Sequence, residues 1–250
     1  EKVVMRILDS SNLTLSLDAL GWEPEVLSQF REAINAAWGM VLVTGPTGSG
    51  KSTTLYSSIR EILSEQDNLI TVEDPVEYQL DGVNQVPVNP KRGLTFAAAL
   101  RSILRQDPDI IMIGEIRDME TVEIAVKAAL TGHLVFSTVH TNDAPSTVTR
   151  LVDMGVDPFL VASAVIMVTA QRLGRKLCTE CLQPMERPPD ERLLALGFRP
   201  EELTQDFELK QAGTCTRCLS GYKGRFSLVE ALKVTQEIKK LIIEGASAID

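Results

Sequence analysis

The stretch MVLVTGPTGSGKS, Met40 to Ser52, decides how the rest of the chain is read. Its second part, Gly45 to Ser52, fits G-x-x-x-x-G-K-[ST] at every fixed position. Its context fits as well. An apolar run of strand length precedes it and a helical pattern follows it, so the loop amides of Gly45, Pro46, Thr47, Gly48, Ser49 and Gly50 line up at the positive end of a helix. Proline supplies no N–H, so the glycines and polar residues carry that role. Lys51 is placed for the β- and γ-phosphates of a nucleotide, the Ser52 hydroxyl for Mg2+, and Thr53 continues the first turn. The reading is a nucleotide-binding loop between a buried strand and a helix.

Outward from that loop, apolar runs alternate with helical patterns. NLITVE, DIIMIG and HLVFSTV interleave with KSTTLYSSIREILSEQ, TFAAALRSILRQ and METVEIAVKAAL. Such alternation predicts an α/β fold with a mainly parallel twisted sheet flanked by helices. The 250 residues, 44% hydrophobic and 24% charged, suffice for that core. Four segments are expected. Residues 1–20 are the remnant of a preceding domain with its linker, because EKVVMRIL already reads as a strand in mid-domain; on this reading the chain is a fragment. Residues 21–172 form the core, opened by a helix from Gly21 to Trp38. Residues 173–226 break into proline, glycine and cysteine pairs, and 227–250 read as a C-terminal helical segment. The longest apolar stretch, FLVASAVIMVTA from Phe159, has 12 residues. It is too short for a bilayer span of about 20 and is expected to be a buried helix. No signal-peptide pattern opens the chain. A net charge of -9 argues against nucleic acid as the main partner.

The acids come next. In DIIMIGEIRD the buried strand ends at Gly114 and Glu115, on the rim of a parallel sheet where ligands sit. Phosphoryl-transfer sheets commonly place an Asp for Mg2+ hydration before such a Glu; here that slot is Gly114. Glu115 therefore either orients the attacking water alone or shares metal duty with other carboxylates. TVEDPVE offers Glu73, Asp74 and Glu77 at the same rim. Both histidines flank one strand, HLVFSTVH. His140 lies at its carboxyl end, where a γ-phosphate would be, and His133 at its start; an odd separation sends them to opposite faces, so they do not share a metal. His133 is kept as a candidate cofactor contact. Arg101 and Arg105 are four apart and expected on one helix face, with Thr95 as N-cap.

Cys178, Cys181, Cys215 and Cys218 form two C-x-x-C pairs with 33 residues between them. That is a tetrathiolate Zn2+ signature, closed and therefore structural. The alternative, a DNA-translocating or nucleic-acid-binding ATPase with a zinc ribbon, needs a basic surface. Residues 175–225 carry nine Lys or Arg and eight Asp or Glu, a net of +1, too balanced to grip phosphates.

The glycine loop, TVEDPVEY, LRQDPDIIMIGEIRD, TGHLVFSTVHTNDA and the four cysteines together closely resemble the secretion ATPases of the type II secretion and type IV pilus assembly family, over nearly the whole chain. The resemblance implies a RecA-like motor core in which these blocks are the Walker A, aspartate, Walker B and histidine boxes, and in which a glycine before the Walker B glutamate is a family trait. It implies Mg2+-dependent ATP hydrolysis with Glu115 as catalytic glutamate, Glu77 as aspartate-box acid and His140 nearest the γ-phosphate. Arg6, Arg101, Arg105, Arg117 and Arg150 become candidates for completing the site, some from a neighbouring domain or subunit. It further implies a homo-hexameric ring, peripheral to the cytoplasmic face of the inner membrane, that works with a membrane platform protein to drive pilin or pseudopilin assembly. The cysteine element points to assembly motors, since retraction motors generally lack it.

Overall fold

The computed structural model describes residues 2–3 and 16–249, and these divide into two units, Glu1–Leu173 with Ser227–Asp250, and Gly174–Phe226. Arg6 and most of the expected opening strand lie outside the described residues.

The first unit is built on a sheet whose strands are β1 (Gly39–Thr44), β2 (Leu69–Glu73), β3 (Asn84–Pro87), β4 (Ile110–Ile113), β5 (Leu134–Val139), β6 (Val165–Leu177) and the later strand β9 (Tyr222–Lys233), in the order β3-β2-β4-β5-β1-β6-β9. β1 runs parallel to β5 and β6, and β2 parallel to β3 and β4. β4 and β5 also run parallel. Every residue of β1, β2, β4 and β5 is buried. That is why these strands are unbroken apolar runs, with a core on each face of the sheet. Side chains alternate between the two: Met40, Leu42, Ile111, Ile113 and Val135 enter one core, and Val41, Val43, Ile110, Met112 and Phe136 enter the other.

The helices cover these faces. α1 (Pro24–Ile34) and α2 (Lys51–Ile62) close the second core; α3 (Phe96–Ile103), α4 (Met119–Leu130), α5 (Ala144–Asp153) and α6 (Pro158–Ala164) close the first. Four are started by side chains that accept from an otherwise orphaned amide: Thr95 from Ala98, Asp118 from Thr121, Asp143 from Ser146 and Asp157 from Phe159.

Four sequence expectations are corrected. The helix placed at Gly21 to Trp38 is shorter, because α1 starts at Pro24 and ends at Ile34, with Asn35 as its C-cap. The apolar stretch from Phe159 is a helix only as far as Ala164; Val165 onward pairs with β1 from Met40. Val165, Ile166, Val168 and Thr169 are β-branched, and a strand buried on both faces has no alternation to betray it. The segment 227–250 is not wholly helical: Ser227 to Ala231 alternate between partly buried and exposed as the end of β9, and only α9 (Gln236–Glu244), capped by Thr235, is helix. Finally, α3 stops at Ile103, so Arg105 lies past its end and does not share a helix face with Arg101.

The second unit has β7 (Gln183–Pro184) paired antiparallel with β8 (Lys210–Gln211), and two short helices, α7 (Asp190–Ala195) and α8 (Pro200–Leu203). Among its described residues only Cys178 and Leu193 are fully buried apolar side chains, supplemented by a Phe198–Phe207 stack and by Arg175 over the Tyr222 ring. So small a core does not hold a domain of this size without a staple.

Candidate nucleotide site and cysteine cluster

The glycine loop links β1 to α2, and its glycines are required by space as well as by backbone. Gly45 has φ 137°, and a Cβ there would lie 2.3 Å from the Gln171 carbonyl and 2.7 Å from Ser49 Oγ. Gly50 caps α2 in the left-handed region, φ 92°. Lys51 curls back so that Nζ donates to the carbonyls of Gly45 (2.9 Å) and Pro46 (3.2 Å). Burial pulls its pKa below the ordinary lysine range, and the negative charge of Glu115 opposes that shift.

Parallel strands bring their C-terminal ends to one rim, and β4, β5 and β1 are neighbours in the sheet. Glu115, just past β4, is therefore adjacent to His140, just past β5. Its carboxylate, 12% exposed, faces Arg117 with one oxygen and His140 Nε2 at 3.4 Å with the other. The backbone is fixed on both sides: Ile116 N–H donates to the Thr138 carbonyl, and Thr138 Oγ1 to the Gly114 carbonyl. The glycine that replaces the usual Asp has a local reason, because a Cβ at Gly114 would lie 3.3 Å from the Val72 carbonyl and 3.4 Å from Glu73 Cα. Thr44 joins the loop to the His140 segment, donating to the Val139 carbonyl and accepting from Thr141 N–H.

The three acids after β2 separate. Glu77 accepts from Ser52 Oγ at 3.3 Å. Asp74 is exposed at the rim. Glu73 is buried and its carboxylate is used by protein donors, namely Tyr56, Thr71 (2.6 Å) and Gln85 (3.0 Å). The structure gives Glu73 to the framework instead of the ligand. His133 is corrected too: it sits at the start of β5, on the rim away from the glycine loop, with Nδ1 2.9 Å from the Ala128 carbonyl. Of the arginines, Arg117 alone reaches a site acid among the described residues. Arg101 pairs with Glu120, while Arg105 and Arg150 are exposed with no described acid in ion-pair range.

Two residues escaped the sequence reading. Gln171, buried in β6, donates from its amide nitrogen to the Ser49 carbonyl (2.8 Å) and accepts from Thr54 Oγ1 (2.9 Å), so it holds both ends of the turn from loop into helix. Its only sequence signal is one amide at the end of an apolar run. Tyr56, on α2, is the other.

The four cysteines, none in a disulfide, converge within the second unit, with all four Sγ atoms within 4.8 Å of one another. The Cys178–Cys215, Cys181–Cys218 and Cys215–Cys218 separations are 3.9, 3.6 and 3.4 Å. Four sulfurs about 2.3 Å from one tetrahedral ion stand about 3.8 Å apart, so the set fits Zn2+. The backbone amide of Gly221 faces Cys218 and favours its thiolate, and that of Arg217 does the same at Cys215, where Cys218 and burial nevertheless leave the pKa raised. The Cys218 thiol is drawn down to about 7, chiefly by its contact with Cys215, while burial pushes Cys181 up to about 12. Gly213 has no room for a side chain, since a Cβ would lie 1.8 Å from the Cys181 carbonyl.

The profile of the family described as type II/IV secretion system protein matches residues 1–250. The chain belongs to that family. It is 55% identical, over its full length, to the type IV pilus assembly ATPase PilB of Acinetobacter baylyi, and 49% identical, over 97% of its length, to the type II secretion system ATPase E of Vibrio cholerae. It spans 43% and 48% of those two proteins, less than half of each. Among solved structures, the pilus retraction motor PilT with bound ADP matches 96% of this chain and 58% of its own, with 33% identity and a TM-score of 0.69. The resemblance read from the sequence boxes and the α/β fold are thus both upheld. Among the described residues no helix is long and apolar enough to cross a membrane.

Proposed function

We propose that this chain is the ATP-hydrolysing part of a motor that powers assembly of pilin or pseudopilin subunits. The observation that carries the reading is the meeting of Glu115 and His140 at one sheet rim with the Lys51 loop. Residues Gly45 to Thr53 bind the phosphates and Lys51 neutralises them, releasing its two loop carbonyls to do so. Glu115 orients and deprotonates the attacking water, and His140 holds Glu115 while facing the γ-phosphate. The oxygens of Ser52 and Glu77 are the hard donors that Mg2+ prefers, and would hold it against the phosphates, where it offsets their charge. Asp74 is near enough along the chain to share that duty.

The exposed Arg105 and Arg150, and Arg101 once its surface pair with Glu120 opens, are suited to complete the site of a neighbouring subunit in a homo-hexamer; Arg6 is a further candidate. The hexamer works at the cytoplasmic face of the inner membrane, peripheral to it, against a platform protein. Zn2+ on Cys178, Cys181, Cys215 and Cys218 supplies folding energy and no chemistry, because four thiolates leave no open position.

The test is Glu115→Gln in the full-length protein. ATP affinity stays near that of the wild type, and turnover falls by about 100-fold or more, roughly 3 kcal/mol of transition-state stabilisation. Turnover near the wild-type rate would remove Glu115 from this role.

A further inference from the structure

Glu77 is held at both ends by one helix face. Its carboxylate accepts from Ser52 Oγ at 3.3 Å, and its backbone N–H donates to the Tyr56 hydroxyl at 3.2 Å. Ser52 and Tyr56 are four residues apart on α2, so they stand one above the other. The Tyr56 hydroxyl is itself oriented, because it donates to the buried carboxylate of Glu73, which leaves its lone pair for the Glu77 amide. The ring is 1% exposed and meets Tyr78 edge to face at 6.1 Å. Gln85 closes the arrangement, donating to Glu73 and to the Tyr78 carbonyl and accepting from Leu80 N–H.

We propose that Tyr56 is a positioning residue for the metal side of the nucleotide site, its hydroxyl fixing the backbone of Glu77 so that the Glu77 carboxylate stays against Ser52. A buried tyrosine in this helix would serve packing with its ring alone; the phenol oxygen is needed because the loop after β2 has no regular structure to hold Glu77. The inference rests on the reading of Ser52 and Glu77 as Mg2+ ligands.

The experiment measures ATP binding by calorimetry on the full-length protein, once with Mg2+ and once with EDTA in its place. Tyr56→Phe keeps the ring and its contact with Tyr78. It is expected to weaken binding about tenfold with Mg2+ and to leave binding in EDTA unchanged, the loss of about one hydrogen-bonding contact's worth of order. Glu77→Gln gives the same Mg2+-specific loss, and the double variant is no weaker than Glu77→Gln alone, since Tyr56 acts through Glu77. Wild-type affinity for Tyr56→Phe with Mg2+, equal losses in both conditions, or full additivity with Glu77→Gln would each overturn the role of Tyr56 while leaving the site reading intact. If Glu77→Gln itself shows no Mg2+-specific loss, the metal reading falls and this inference with it.

Discussion

The two functional regions are built in opposite ways. At the nucleotide site the fold holds the residues: Lys51 opens α2 beyond the loop that leaves β1, Glu115 and His140 stand just past the ends of strands buried on both faces, and Gln171, Thr44, Tyr56 and Glu73 brace them from inside the core. In the cysteine unit the residues hold the fold, because Cys178 and Leu193 are the fully buried apolar side chains among its described residues. A site of the first kind can lose one group and keep its shape. A site of the second kind cannot.

Cys178→Ser tests this most severely. Structural tetrathiolate sites contribute on the order of 10 kcal/mol to folding, so the variant should lose the Zn2+ proposed for the cluster and the Gly174–Phe226 unit should unfold. ATP affinity is expected to persist. Metal analysis, hydrogen exchange across 174–226 and nucleotide binding check the three statements, and a protein that retains exchange protection there without metal would break the comparison.

Gln171→Leu probes the first kind of construction. It leaves the Ser49 carbonyl and the Thr54 hydroxyl without their partners while nearly preserving volume, at a cost of about 1–3 kcal/mol. The loss should be seen both as a lower melting temperature and as weaker ATP binding, whereas metal content stays at the wild-type level. Unchanged ATP affinity would mean that the loop is held without the β6 amide.

Arg101→Ala gives the smallest expected effect. Its pair with Glu120 is about half exposed on both sides, and such pairs contribute about 0–1 kcal/mol. Thermal unfolding of the variant should therefore match the wild type closely. Any large fall in the turnover of the proposed hexamer then belongs to Arg101 acting on a neighbour, and a large fall in stability would reassign it to the framework.

Much of both regions is legible in the chain because their signals are local. A glycine loop between a strand and a helix, an acid at the end of an apolar tetrad and cysteines at C-x-x-C spacing each occupy a few consecutive residues, and their chemistry follows from residue type and spacing. The alternation of buried strands and amphipathic helices also announces the parallel sheet, since both faces must be covered. What the sequence leaves open is which of several equivalent groups is used. Glu73 and Glu77 read alike, yet Glu73 ends inside the core facing Tyr56, Thr71 and Gln85, and Glu77 turns back to Ser52.

The sequence by itself determined the phosphate loop, the sheet class, the cysteine quartet and the rim on which Glu115 and His140 stand. The tertiary structure alone decided that the run after Ala164 is a strand, that the approach of β2 leaves little room for a side chain at Gly114, and that Gln171 and Tyr56 brace the site. The physical reason is range: the first set depends on neighbours along the chain, the second on contacts such as those across 21 positions from Tyr56 to Glu77 and 122 from Ser49 to Gln171, which exist only once the sheet has closed and its interior has excluded water.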